Sequence, residues 1–347
     1  MSILRLPAET LSQIFEHLGP SFFHENPARL TICKQWYGYA LLTYLSYITL
    51  SPETLRRFTT CQAVAQPSPL EHHLEALDIE LRAYVATDED ATHDTDLSKS
   101  SGRLSPRSRI DTLEHDLARL ASIMQRCRRL RTLRLTACRS IYAEHLDSLH
   151  DYLSLPTMCS LLSLTNLSVL VLDLSVGFQE SSGEPSNGQH ICPAIGTLLD
   201  TLQTLHVRMR SICPDALKPR HTVDKLALST VIVNLSLKTE LPGVTSATHS
   251  RRCGTPSGGP SGGLLRLFDD MRQQAQTLAS EMTSPRTVRI LTHSLPSFET
   301  HSLDVVTDET RMLEDGSAWD DDGQTIREPP EPESEMSDDE LLAWLDD

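Results

Sequence analysis

The sequence predicts an α+β protein in three parts. A short all-α segment comes first, an irregular α/β solenoid of alternating strands and helices follows, and an acidic tail with no core of its own ends the chain. Three observations predict this. Apolar residues near the N-terminus recur with the period of a helix. A leucine phrase, LxxLxL, returns along the middle of the chain. Nearly all the net charge of −16 falls within residues 304–347. The expected boundaries are 1–45, 46–303 and 304–347.

The N-terminal part follows from local chemistry. Leu11, Ile14, Phe15 and Leu18 lie at i, i+3, i+4 and i+7, one face of a helix. Pro7 suits the first helical position, where its missing N–H is no loss. Glu9 sits where a carboxylate meets the positive end of the helix dipole. Gly19-Pro20 should stop the helix, because glycine accepts a left-handed turn and proline cannot continue the ladder. Asn26 can cap and Pro27 can begin a second helix carrying Leu30, Cys33, Trp36, Tyr37, Ala40 and Tyr44. Helices this short bury little surface alone, so they must pack on the rest of the chain or on a partner.

Leu6-Pro7-Ala8-Glu9, then Leu11, Ile14-Phe15 and Leu18, then Ile32-Cys33-Lys34-Gln35-Trp36 resemble the F-box. That motif reads leucine-proline-x-glutamate, an apolar helix, and a later valine-serine-basic-basic-tryptophan. The resemblance covers residues 3–45. Cys33 stands where serine is usual, and Gln35 where a basic residue is usual. The resemblance implies a helical module that binds the Skp-family adaptor of an SCF-type cullin–RING ubiquitin ligase. It implies Leu6, Pro7, Glu9, Leu11, Ile14, Phe15, Leu18, Ile32 and Trp36 as the adaptor-binding residues. The plainer alternative is an amphipathic helical hairpin packed on its own core.

Composition narrows the rest. At 347 residues the chain has room for one large or two modest domains. Hydrophobic residues are 39% and mean hydropathy is −0.25, values of a soluble globular protein. The apolar run at 39–50 is interrupted by Thr43 and Ser46 and is too short for a bilayer. No charged region followed by an apolar run marks a secretory signal. Eight cysteines without a CxxC pair fit a reducing cytoplasm or nucleus. Residues 304–347 hold seventeen acids and two arginines, which leaves 30 acids and 29 bases elsewhere. Such an acidic block reads as a solvated, disordered extension. Neither half shows the basic face of a nucleic-acid binder, so neither nucleic acid nor membrane is an expected partner.

The body repeats one phrase. Leu74, Leu77 and Ile79 form LxxLxL, as do Leu130, Leu133 and Leu135, then Leu167, Leu170 and Leu172, then Leu202, Leu205 and Val207. Weaker echoes run Val223, Leu226, Leu228 and Ile232, Leu235, Leu237. The alternating part is a strand with one buried face. Helix-like stretches such as 110–120 lie between copies, and strand–helix alternation points to a parallel sheet. This region resembles a degenerate leucine-rich-repeat-like solenoid of fungal F-box proteins, with Cys138 at the repeat's asparagine/cysteine position. Copies starting at 130, 167 and 202 are 37 and 35 residues apart, against about 20–29 for regular repeats. The units must therefore carry longer helices or loops. The bland alternative is that LxxLxL is what buried strands look like in any α/β domain. Mobile loops are expected at 86–108, 180–190 and 244–263. A helix is expected at 264–282, and late strands at 288–290 and 302–306.

Chemical motifs are few. No nucleophile elbow, HExxH or Walker loop occurs, so no enzymatic activity is expected. Glu71-His72-His73 resembles a metal site least poorly, but adjacent histidines point apart and no partner has ligand spacing. Neither metal nor cofactor is expected. Arg126, Arg128, Arg129, Arg131 and Arg134 cluster, and their bland reading is a solvated face. Arg131 and Arg134 hold x positions of LxxLxL, with Asp78, Asp173 and His206 at comparable places. These five are candidate substrate-binding residues on the open face of a solenoid. Ser337 and Glu340 have capping-box spacing before Leu341, Trp344 and Leu345, a helix that would form on docking; the plainer alternative is a solubilising tail that docks nowhere or covers an end of the chain's own solenoid. Together these features describe a substrate-recognition subunit of an SCF-type ligase. Its partners would be a Skp-family adaptor with the cullin core and an unidentified protein substrate, in the cytoplasm or nucleus. The alternative is an F-box scaffold acting outside any ligase.

Overall fold

The structure is a computed structural model. It describes residues 6–61, 69–81, 106–137, 152–178, 189–221, 225–237, 248–254, 263–293, 299–314 and 317–325. Helix α1 (Ala8–Glu25) buries Leu11, Phe15 and Phe23. Gly19 takes φ 72° and ψ 169°, so the anticipated Gly-Pro break is present, but the chain turns back into helix at once. Asn26 caps the next segment, accepting from the Ala28 N–H at 3.1 Å. That segment is a 3-10 helix (Pro27–Thr31) rather than the start of a long α-helix. A continuous helix from 27 to 44 is therefore corrected. Cys33 is extended and caps a separate α2 (Lys34–Ser46), its sulfur accepting from the Trp36 N–H at 3.4 Å. The Trp36 indole donates to the Arg29 carbonyl at 2.5 Å. Leu11, Phe15, Phe23, Leu30, Trp36 and Ala40 form a hydrophobic cluster separate from the main core.

The body is a mixed α/β arrangement around one large sheet. Strands β1 (Tyr47–Leu50), β2 (Ala76–Glu80), β3 (Thr132–Ala137), β4 (Val169–Leu174) and β5 (Thr204–Met209) lie side by side in chain order. A two-residue strand β6 (Ser211–Ile212) leaves the sheet, which continues with β7 (Thr230–Asn234). A short β8 (Arg251–Arg252) pairs with β6, and β9 (Thr287–His293) completes the parallel run. Parallel neighbours need long returns. Helices α3 (Pro52–Thr60), α4 (Pro69–His73), α5 (Pro106–Met124), α6 (Leu155–Leu161), α7 (Cys192–Leu198) and α8 (Gly263–Glu281) lie in those returns. Three antiparallel strands, β10 (Thr300–Asp304), β11 (Glu309–Leu313) and β12 (Gln324–Thr325), close the order.

The register accounts for the leucine phrase. Leu77, Leu133, Leu170, Leu205, Val231 and Val288 stand side by side across the sheet. Ile79, Leu135, Leu172, Val207, Val233 and Ile290 form a second row. Every member of both rows is at most 1% exposed. The rows share one core with Leu117 and Leu120 of α5 and Met271 and Leu278 of α8. The leucine opening each strong copy (Leu74, Leu130, Leu167, Leu202) is also buried, just before its strand. In the weak copy at 223–228, the described residues 225–228 form no strand, and Leu226 makes an isolated bridge to Met282.

The tail boundary and two loop limits move. The disordered tail does not begin at 304, since β11 and β12 carry the sheet to Thr325 and Trp319 packs against Ile232, Leu291 and Leu313. Among the acids there, Asp320 pairs with His206 and Asp322 with Arg289, the latter while 80% exposed. Residues 326–347, with the expected helix at 337–345, lie outside the described residues. Of the expected loops, 86–105 and 180–188 lie outside them as well, as does Cys138. Residues 106–108 already belong to α5, and 248–254 contain β8 rather than only linker. No described helix is long and apolar enough to cross a membrane.

Candidate functional site

Side chains between the buried positions point to the other face of the sheet. There the register aligns Asp78, Arg134, Val171, His206, Ile232 and Arg289. One step further along lie Thr136, Asp173, Arg208 and Asn234. Asp78, Arg134, Asp173 and His206 therefore share a face, as expected. Arg131 does not. It precedes β3 by one residue, which reverses its side, and it donates to the Asn166 carbonyl at 2.8 Å, bracing the turn before β4. Arg126 and Arg129 reach Glu71 and Glu75 of the preceding unit at 3.1 and 3.8 Å. Most of the arginine cluster thus links neighbouring units, and Glu71 serves that link.

The chain itself covers part of this face. His206 Nδ1 lies 2.7 Å from an Asp320 carboxylate oxygen. Arg289 donates to the Asp321 carbonyl at 2.6 Å and pairs with Asp322 at 2.9 Å. The Asn234 amide donates to the Trp319 carbonyl at 3.1 Å. Arg208 grips Asp173 through two hydrogen bonds of 2.7 and 2.6 Å while its guanidinium lies 5.1 Å from the Trp319 ring centre. The hydrogen bond to His206 holds the Asp320 carboxyl below its ordinary range, against the opposing effect of burial. Burial lowers the Arg289 guanidinium, and Asp322 offsets part of that. Asp173 and His206 are thus engaged within the molecule. Asp78 accepts from the Tyr47 hydroxyl at 3.3 Å, and Arg134 is exposed.

The N-terminal residues divide into two sets. Leu11, Phe15 and Trp36 are buried, with the Phe15 and Trp36 rings edge to face at 4.6 Å. Ile14 is half-buried, and Pro7 and Glu9 are exposed. Leu6, Leu18, Ile32 and Tyr37 are exposed by 37, 36, 61 and 44%. Only two other large hydrophobic residues are exposed among the described residues, Leu265 and Val306. The apolar surface left uncovered is therefore concentrated on this module.

A second constellation is absent from the sequence reading. His190, Cys192, Cys213 and Cys253 bring one ligand-type atom each within 4.8 Å of one another. Cys192 opens α7 and His190 precedes it by two residues. Cys213 and Cys253 each follow the last residue of β6 and β8, whose pairing of Ile212 with Arg252 sets them side by side. Hydrogen bonds from Cys192, then Cys253, pull the Cys213 thiol down to about 2, against burial. Cys213 in turn pushes Cys192 upward. Cys253 is lowered by Cys192 but raised more by Cys213 and burial, to about 12. The ligands come from three separate segments. In sequence the cluster shows only as a single His-x-Cys.

Compared with protein-family models and with curated proteins, the chain matches none.

Proposed function

We propose that this protein is a substrate receptor of an SCF-type cullin–RING ubiquitin ligase. Residues 3–45 would dock a Skp-family adaptor. The observation that carries the reading is the split of the F-box-like residues. Leu11, Phe15 and Trp36 build a small core of their own, while Leu6, Leu18, Ile32 and Tyr37 keep apolar surface uncovered. Four of the six large hydrophobic residues exposed among the described residues fall in this one module, which supports an interaction site there. Cys33, which stands where the motif usually has serine, caps α2 through its sulfur.

The remaining chain would act as an irregular leucine-rich-repeat-like solenoid that presents the substrate. Parallel strands stacked in chain order support this, with charged residues lined up on the face away from the helices. The part of that face not crossed by residues 317–325, around Asp78 and Arg134, is the surface offered to a target protein. Catalysis would be by proximity: the receptor raises the local concentration of its target near a charged ubiquitin-carrying enzyme. No cofactor takes part in that role.

The test is co-expression with a Skp-type adaptor followed by gel filtration. The wild-type chain should co-elute with the adaptor. Ile32→Asp combined with Leu6→Ala changes only exposed side chains, so folding should persist. Affinity should fall by about 30-fold, the loss of roughly 2 kcal/mol typical of interface anchors. A wild-type chain that elutes alone would refute adaptor docking. Adaptor binding without co-purified cullin would favour the scaffold alternative.

A further inference from the structure

We propose that His190, Cys192, Cys213 and Cys253 bind one zinc ion as a closed structural site. The argument starts from distance. With Zn–S bonds of about 2.3 Å and a Zn–N bond of about 2.0 Å, a tetrahedron requires S···S edges near 3.8 Å and N···S edges near 3.5 Å. The Cys192 and Cys253 sulfurs are 3.7 Å apart. Cys213 Sγ is 3.8 Å from His190 Nδ1. All four ligand atoms fall within 4.8 Å of one another. The spacing is that of four atoms around a shared centre, not of bonded sulfurs, which sit about 2.05 Å apart.

The donor set then selects the ion. Three sulfurs and one imidazole are soft ligands that exclude calcium and magnesium and suit zinc. Four protein ligands fill a tetrahedron and leave no position for water or substrate, so the role is structural. Cys192 and Cys213 are buried and the His190 side chain is only 22% exposed. Asp215 supplies the outer partner. Its Oδ2 lies 3.7 Å from His190 Nε2, an ion-pair distance, and 3.6 Å from Cys213 Sγ, so a carboxylate borders the cluster on both sides.

The fold also has a use for such a clamp. A pairing of two residues with two residues, as in β6 and β8, is far too short to persist by itself. Residues 248–254 lie between two segments rich in Gly, Pro, Ser and Thr. The bridge of His249 with Ser236 and the Ser250 N–H bond to the Leu235 carbonyl hold their first half, and the β6–β8 pairing holds Arg251 and Arg252 just before Cys253. A zinc ion would join Cys253 to Cys192, 61 residues earlier, and to Cys213. Ordinary buried cysteines act as small apolar groups. Apolar packing alone gives no reason for three of them to converge on a histidine. The inference is independent of the adaptor reading.

The experiment uses the full chain, purified under reducing conditions without a polyhistidine tag. Elemental analysis should find about one zinc per chain. Removing it with a chelator should lower Tm, and zinc alone should restore it. Cobalt added to the stripped protein should give the visible bands of a tetrahedral thiolate complex. Cys213→Ser and Cys253→Ser should lose the metal. Because those variants can fail to fold, His190→Cys provides a second arm: it should keep zinc and strengthen the sulfur-to-cobalt charge-transfer band. A folded wild-type chain with less than about a tenth of an equivalent of zinc and no cobalt bands would overturn the proposal. So would a Cys192–Cys253 disulfide found by non-reducing peptide mapping. Identical cobalt spectra for wild type and His190→Cys would remove His190 from the site.

Discussion

Asp320 meets His206 at 2.7 Å across 114 residues of chain, and neither residue type in isolation announces the pair. The carboxyl is held below its ordinary range by that hydrogen bond, so its contribution has a definite sign. A free aspartate titrates near about 3.9. The stabilisation is therefore fully present above that value and is lost as pH falls through the lower folded value. His206 and Arg134 both act on the carboxylate electrostatically, and Arg289 donates to the neighbouring backbone. Asp320→Asn should lower Tm at pH 7 by about 2 °C, as expected for a loss of order 1 kcal/mol in a chain of this size. The gap from wild type should close as pH drops below about 4. A Tm difference that stays constant between pH 7 and pH 3 would mean that the ionised form of Asp320 contributes nothing.

At the scale of elements, the least forgiving contact lies between α7 and the 3-10 turn at Pro214–Leu217. A Cβ on Gly196 would stand 2.5 Å from the Lys218 carbonyl oxygen and 2.7 Å from that of Asp215. Both obstacles are backbone, which cannot swing aside as a side chain can. Gly196→Ala should therefore destabilise by about 2 kcal/mol through overpacking, despite alanine's better helix propensity. The same shift would part Cys192 from Cys213, since Cys192 opens α7 and Cys213 immediately precedes the turn. Denaturant melts should show the lower midpoint, and zinc content should fall with it. An unchanged midpoint would mean that α7 can slide along its turn. The N-terminal elements show the opposite tolerance. Gly19 takes a positive φ between two helical runs, and the chain bends there without losing the Phe15–Phe23 contact.

For the molecule as a whole, the question is where the fold ends. Strands β10 to β12 cover the far edge of the parallel sheet, and Trp319 closes a small cluster on the face away from the helices. A chain ending at residue 303 would cut β10 short and expose the hydrogen-bonding edge of the sheet. It would also leave Ile232, Leu291 and the buried Arg289 without their covering segment. It should aggregate or melt well below wild type, as unprotected edges do. A chain ending at residue 325 keeps each of those contacts and should melt within about 2 °C of wild type, the size of an ordinary surface change. Equal Tm values for the two truncations would refute the placement of 304–325 in the fold.

Much of the architecture was legible because it rests on short-range rules. Period and breakers gave α1 its apolar face and its bend at Gly19. The buried rows through Leu77 and Ile79 follow from the two-residue repeat of a strand. The strand β1 escaped notice because its apolar run carries no LxxLxL and becomes a strand only beside β2. Arg131 and Arg134 look alike in the phrase, yet a shift in strand start sends them to different surroundings. The acids at 320–322 read as a solvated tail because their partners, His206 and Arg289, are distant in sequence and near only in space. The same reason hid the His190, Cys192, Cys213 and Cys253 cluster, whose members come from three segments. By itself the sequence determined the periodicities, the caps and the alternation of strand and helix, since these depend on neighbours within a few residues. Only the tertiary structure decided which charges pair, which cysteines meet and where the sheet stops, because those contacts join residues that nothing but the folded sheet brings together.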